Sequence, residues 1–159
     1  MAFNGFLQID GIKGESTDKD HKDWIEILSY SHSIAPAGPA VGAAPGQVAN
    51  HDIVITKHVD SSSPKLYEAA SSGKHIPTVS IDLMRASGGT PVKYLNIKMD
   101  NVIISKMSAS VSVGADTPNE NITFNYGSIK WTYTQQKSAD GSGGGNVTGG
   151  WDISKNKDS

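Results

Sequence analysis

The 159-residue chain contains no cysteine, which excludes disulfides, thiol catalysis and zinc–thiolate sites. No apolar run approaches the ~20 residues that a membrane-spanning helix needs, so we expect no membrane insertion. The first residues form neither a charged n-region nor an apolar h-region, and we therefore expect no signal peptide. The 14 Lys and Arg residues are matched by 16 Asp and Glu residues and form no basic stripe, which argues against a nucleic-acid partner.

The sequence also lacks a recognisable set of catalytic or metal-binding residues. The five histidines show no metal-ligand spacing, so we interpret them as surface or hydrogen-bonded side chains. No Gly-x-Ser-x-Gly elbow exposes a serine nucleophile, and Gly143–Gly145 do not stand between a strand and a helix as a phosphate-binding loop would. Acidic residues in segment 14–22 are mixed with lysines, which predicts a solvated turn. We therefore expect no enzymatic activity, no metal and no cofactor.

Most of the chain alternates apolar and polar residues, which is the pattern of half-buried strands. Gly88-Gly89 predicts a hairpin turn, and a one-residue slip of the alternation at Gly127-Ser128 predicts a β-bulge. Many short strands with one helix predict a single domain over residues 1–159, mainly β, built as an antiparallel barrel or a sandwich. The strands are expected near 3–12, 23–34, 52–58, 77–86, 92–100, 102–113, 121–134 and 148–153.

One short helix is predicted at about residues 64–72. Ser63 is the expected N-cap, Pro64 suits the first helical position, and Gly73 offers a left-handed stop. A helix of this length is not stable alone in water, because nucleation costs too much. It must therefore flank the β structure, and Leu66 is predicted to dock it there.

A long extended loop is predicted at about residues 35–50, where Pro and Gly are frequent and no residue is charged. Structureless stretches of this length are uncommon in a compact domain and are usually functional or disordered. We interpret this one as an interaction loop, because loops that only face water are rarely so neutral. Its candidate contact residues are Pro39, Val41, Gly42, Ala43, Ala44 and Pro45.

Serines occupy alternate positions on two predicted strands, at 29, 31 and 33 and again at 108, 110 and 112. Alternation of this kind is typical of the solvent-exposed side of an antiparallel sheet. A second interpretation is a surface of small, uncharged groups that line a passage. Both interpretations are open at this point.

Motifs along the whole chain match one family in order and spacing. They comprise Lys13–His21, Trp24–Ser31, Thr56-Lys57, Ser71–His75, Glu120–Thr123, Gln136-Lys137, Asp140-Gly141 and Gly150–Ile153. In combination they resemble Hcp, the haemolysin-coregulated tube protein of bacterial type VI secretion systems.

The resemblance implies a β-barrel with an attached helix that assembles as a homohexameric ring. Rings would stack into a tube, which a contractile sheath expels, and would carry small effector proteins in the lumen. The implied partners are further copies of the chain, the tip and sheath components, and the effectors. The protein would reside in the bacterial cytoplasm before firing and leave without a signal peptide. By position, loop 35–50 would stack rings, and Ser29, Ser31 and Ser112 would face the lumen.

An alternative is a monomeric β-sandwich that binds a ligand such as a glycan. Trp24, Trp131 and Trp151 would then act as stacking platforms. Core packing is the competing explanation for these side chains, because Trp131 shares its strand face with Ile129 and Tyr133.

Overall fold

The computed structural model describes residues 3–36, 48–87, 89–136, 143–155 and 157–158. These residues form eight strands and one helix: β1 (Asn4–Ile9), β2 (Ile25–Ile27), β3 (Ser29–Pro36), β4 (Val48–His58), α1 (Ser63–Ser72), β5 (Ile76–Ser87), β6 (Thr90–Ser110), β7 (Asn119–Gln136) and β8 (Gly143–Asp152). Within the described ranges, no helix is long and apolar enough to cross a membrane.

The strands form one antiparallel sheet in the order β2-β1-β5-β6-β7-β4-β3, with β8 paired to β7. β2 and β3 lie at opposite ends of this order, yet the chain passes between them through Leu28 alone. The Leu28 N–H donates to the Thr56 carbonyl of β4 at 2.6 Å. The sheet therefore curls round into a half-barrel, which confirms the predicted antiparallel barrel architecture with one helix.

The interior of the barrel is filled mainly by aliphatic side chains from β1, β2, β4, β5, β6 and β7. Alternation along each strand puts one apolar residue inside for each residue outside. Burial of this surface contributes about 25 cal/mol per Å² to stability. Fully buried members include Leu7, Ile25, Ile53, Ile55, Ile81, Ile97, Met99, Ile122 and Phe124.

Three of the predicted strand ranges were wrong. The range 23–34 is two strands, because Leu28 is where the chain crosses from the β1 side of the sheet to β4. The ranges 92–100 and 102–113 are one long strand, β6, which bends at Asn101 instead of stopping. Asn101 has a φ of +53°, a left-handed conformation that Asn tolerates better than most residues. β6 ends at Ser110, three residues earlier than predicted.

The bulge predicted at Gly127-Ser128 was also misplaced. Pairing between β6 and β7 stays in step there, with Asp100 opposite Ser128 and Val102 opposite Tyr126. Both strands exchange their buried and exposed faces together at this bend, so neither carries an extra residue. A Cβ on Gly127 would lie 3.1–3.2 Å from the Asn101 side chain, so glycine makes room for the bend. The actual register shift between these strands lies in β6, between Ile104 and Lys106.

Helix α1 begins one residue earlier than predicted, with Ser62 as its N-cap. The predicted cap, Ser63, instead directs its hydroxyl into a buried polar network. Gly73 ends the helix with a φ of +65°, and its N–H donates to the Ala69 carbonyl, as the sequence predicted. Leu66 is fully buried among the core side chains.

Segment 14–22 exposes most of its charged side chains, as a solvated turn would, but its buried Ser16 and His21 dock it on the barrel, which the prediction did not include. His21 is buried and stacks on Phe6 of β1, with 4.2 Å between the ring centroids. Its Nδ1 lies 2.6 Å from an Asp18 carboxylate oxygen, and its Nε2 lies 2.9 Å from an Asp82 oxygen on β5. The hydrogen bond from His21 lowers the pKa of Asp18 below its usual value. Ring stacking on Phe6 and hydrogen bonds to two carboxylates thus hold His21 on the barrel. The charged composition of the segment alone predicts only an exposed surface.

Candidate functional site

Strands β3, β4, β7 and β6 lie side by side and present one exposed surface, here called the polar face. Residues directly opposite one another on neighbouring strands project on the same side of a sheet. One row across the four strands consists of Ser29, Thr56, Asn121 and Ser108. All four side chains are small, polar and uncharged.

Two further rows extend the polar face. The second consists of Ser31, Val54, Thr123 and Lys106, and the third begins with Ser33, Asp52 and Asn125. Hydrogen bonds between neighbouring strands occupy several of these groups. The Thr56 hydroxyl donates to Asn121 Oδ1 at 2.8 Å, and the Asn125 amide donates to Asp52 Oδ1 at 3.1 Å.

The fold brings the two predicted serine strands onto this single surface. Ser29 and Ser31 of β3 and Ser108 of β6 are exposed on the same side of the sheet, while the other side of these strands enters the core. Ser112 is different, because it lies beyond the end of β6 in the connection to β7. Strand alternation therefore gives no support for placing Ser112 on the polar face.

A cluster of histidine and aromatic rings lies where β3 and β4 lead into segment 37–47. A hydrogen bond of 2.9 Å joins His32 Nε2 to the Tyr126 hydroxyl, and His51 packs against the Tyr126 ring at 5.2 Å. Burial lowers the pKa of His32, with a smaller contribution from repulsion by His51. Burial also raises the pKa of Tyr30 to about 12. This packing joins the described parts of β3 and β4 to β7. The candidate loop residues Pro39, Val41, Gly42, Ala43, Ala44 and Pro45 lie outside the described residues.

A buried ionic network joins β4, β7 and the start of α1. The Lys57 ammonium donates to Glu120 Oε2 at 2.8 Å, Asp60 Oδ1 at 3.0 Å and Ser63 Oγ at 3.2 Å. The side chains of Lys57 and Glu120 are both 0% exposed. Sequence reasoning missed this network, although both residues fall within the motifs that carried the resemblance.

The three tryptophans are half-buried and do not form a binding platform. Trp131 and Trp151 pack against the core cluster, and Trp24 lies edge-on to His21 at 4.8 Å. Together with the single curled sheet, this arrangement speaks against the glycan-binding sandwich.

The structure defines a mainly antiparallel β protein whose single sheet curls into a half-barrel, with one docked helix and a polar face that is mostly uncharged. The family model described as "Type VI secretion system effector, Hcp" matches residues 6–133. The chain therefore belongs to the Hcp family of exported type VI secretion proteins.

Curated relatives and solved structures agree with this assignment. "Protein hcp1" of Pseudomonas aeruginosa is 36% identical over 159 residues, covering 98% of both chains. The "Major exported protein" of the same organism is 30% identical over 155 residues, covering 84% of this chain and 90% of that protein. The fold superposes on Hcp1 from Salmonella typhimurium with a TM-score of 0.81 at 31% identity, covering all of both chains. A structure described as a type six secretion system protein superposes with a TM-score of 0.89 at 30% identity, covering 99% of this chain and 100% of that one.

Proposed function

We propose that this chain is the subunit of a type VI secretion inner tube. Six copies form a ring, rings stack into a tube, and a contractile sheath expels the tube from the bacterial cytoplasm. Tip and sheath components contact the tube, and small effector proteins travel in its lumen. The proposed role is structural and carries no catalytic step.

The observation that carries this proposal is the row of Ser29, Thr56, Asn121 and Ser108 across four strands. A passage for folded cargo must contact the cargo without holding it. Strong charge would trap or exclude particular cargoes, and a large apolar surface would bind many proteins. Small hydroxyl and amide groups exchange their hydrogen bonds with water at little net cost. The polar face therefore suits the lumen wall, with Ser29 and Ser31 facing the passage.

Ring formation is tested by native mass spectrometry and negative-stain microscopy of the full chain. Six subunits of 16.8 kDa give a particle of about 101 kDa with a central hole. A protein that stays monomeric at micromolar concentration would contradict the ring.

The position of the polar face is tested by cysteine labelling, because the chain has no cysteine of its own. Ser31→Cys places a thiol on the polar face, and Ser71→Cys places a matched thiol on exposed helix surface. We expect a small maleimide to label both variants in intact rings. A maleimide coupled to a bulky polymer should label Ser71→Cys fully but Ser31→Cys only in part, since six chains compete for one lumen. Equal labelling by the bulky reagent would place Ser31 outside the lumen.

A further inference from the structure

The register shift in β6 determines which side of the sheet Lys106 occupies. Ile104 pairs with Phe124, and both are buried in the core. In regular alternation, residue 106 would follow Ile104 into the core. The shift places Ser105 as an extra residue, so Lys106 pairs with Thr123 and projects onto the polar face. Ser105 is held there by donating its hydroxyl hydrogen to the Thr123 carbonyl at 3.3 Å.

Lys106 is an exposed cation in otherwise neutral surroundings. Its row neighbours, Ser31, Val54 and Thr123, carry no charge. Among the described residues, no carboxylate forms an ion pair with its ammonium group. The acidic residue of the next row, Asp52, lies on β4, two strands and one row away at about 12 Å, and accepts a hydrogen bond from Asn125. The positive charge of Lys106 is therefore available to a partner.

We propose that Lys106 makes the polar face selective for cargo proteins that present an acidic surface. This inference rests on the proposed ring, in which six copies of Lys106 would circle the lumen at one level. The chain as a whole carries a formal charge of −2, so the local sign is opposite to that of the molecule. Like charges within a confined passage reinforce one another and raise the local concentration of the opposite charge.

The neutral side chains around Lys106 limit how strongly such cargo is held. An exposed ammonium group stays hydrated, and a single surface ion pair contributes only about 0–1 kcal/mol. Six weak contacts would favour acidic cargo while still allowing it to leave. Screening over about 8 Å at physiological salt restricts the effect to cargo that touches the wall.

The test compares the binding of fluorescent decaglutamate and decalysine peptides to purified rings. The variants are Lys106→Gln, the charge reversal Lys106→Glu, and the control Lys19→Gln. Lys19 is an exposed lysine in the segment that packs on β1, away from the four strands of the polar face. Its replacement removes the same unit of charge from each subunit.

We expect wild-type rings to prefer decaglutamate, and Lys106→Gln to weaken its binding roughly tenfold. Lys106→Glu should reverse the preference, and Lys19→Gln should leave it unchanged. Intact rings in which Lys106→Gln and Lys19→Gln behave alike would overturn the charge preference but not the tube subunit. Absence of rings from every variant, wild type included, would overturn both.

Discussion

At the scale of single residues, the buried ion pair of Lys57 and Glu120 shows that a charged side chain is tolerated in the core only where it has partners of opposite charge. Both side chains are fully buried, and the Lys57 ammonium has three oxygen partners from three parts of the chain. Taking two charges out of water costs several kcal/mol each, which good geometry offsets but rarely exceeds. The network therefore specifies where α1 meets the barrel more than it adds stability.

We predict that Lys57→Met destabilises the fold by about 3–5 kcal/mol, because it leaves the Glu120 carboxylate buried without its cation. The double variant Lys57→Met with Glu120→Leu should recover much of this loss, since no charge then remains buried. Urea unfolding at one fixed protein concentration measures both effects. A loss below ~1 kcal/mol in the single variant would show that the pair is dispensable.

A second residue-scale prediction concerns the pH dependence of stability. The pKa of His32 is lower in the folded protein than in the unfolded chain, because of burial and then repulsion from His51. The unfolded state therefore binds the proton more readily. Stability from neutral His32 is complete above the ordinary value of about 6.5 and falls as pH drops from there towards the folded value.

Urea midpoints between about pH 7.5 and pH 5.5 test this expectation. His32→Gln should flatten the decline, because glutamine accepts the Tyr126 hydrogen bond without titrating. Replacement of His75, an exposed histidine bonded to Asn101, serves as the control. An identical decline of the urea midpoint in wild type and His32→Gln would show that titration of His32 does not cause the loss of stability.

At the scale of elements, caps and turn residues in the sequence predicted the helix and the hairpin correctly, but they did not predict where a strand carries a bulge. The helix was predicted within one residue because Pro64 and Gly73 act on their own backbone. The hairpin at Gly88-Gly89 was confirmed by the pairing of Ser87 with Thr90. At Gly127-Ser128 the buried residues of β7 do move from one side of the alternation to the other. The sequence cannot show that β6 makes the same change at the opposite position, which keeps the two strands in register. The true bulge at Ser105 left no signal, because its existence depends on the partner strand.

We predict that Leu66→Ala destabilises the protein by ~2–5 kcal/mol, because it leaves a cavity where α1 meets the core. Lys65→Ala is the neighbouring control. The Lys65 side chain is 66% exposed and its ion pair with Glu68 is on the surface, so we expect a change of at most about 0.5 kcal/mol. Chemical unfolding measures both variants. Equal losses in the free energy of unfolding would show that Leu66 does not dock the helix.

At the scale of the whole molecule, assembly depends on surfaces that a single chain leaves unpartnered. The polar face and the described ends of β3 and β4 belong to the same part of the sheet, and a hydrogen bond joins His32 of β3 to Tyr126 of β7. We therefore expect ring formation and ring stacking to be separable, one depending on the barrel and the other on the loop.

Shortening the segment Ala35–Asn50 should leave rings intact while abolishing tubes and secretion. The matched control replaces residues 37–47 with Gly and Ser at unchanged length, which separates the role of loop length from that of loop sequence. Negative-stain microscopy and assay of exported protein measure the outcome. Normal tubes from the shortened chain would contradict a stacking role.

The sequence by itself determined the mainly β composition, the position of α1, the β5–β6 hairpin and the outward alternation of the serines. These follow from periodicity, caps and turns, which act over a few residues. Only the tertiary structure decided that Ser29 and Ser108 share one row, that Lys57 meets Glu120, and that Lys106 faces outward while Ser112 lies beyond its strand. These depend on which distant strands pair and in what register, and no pattern within a few residues specifies that pairing.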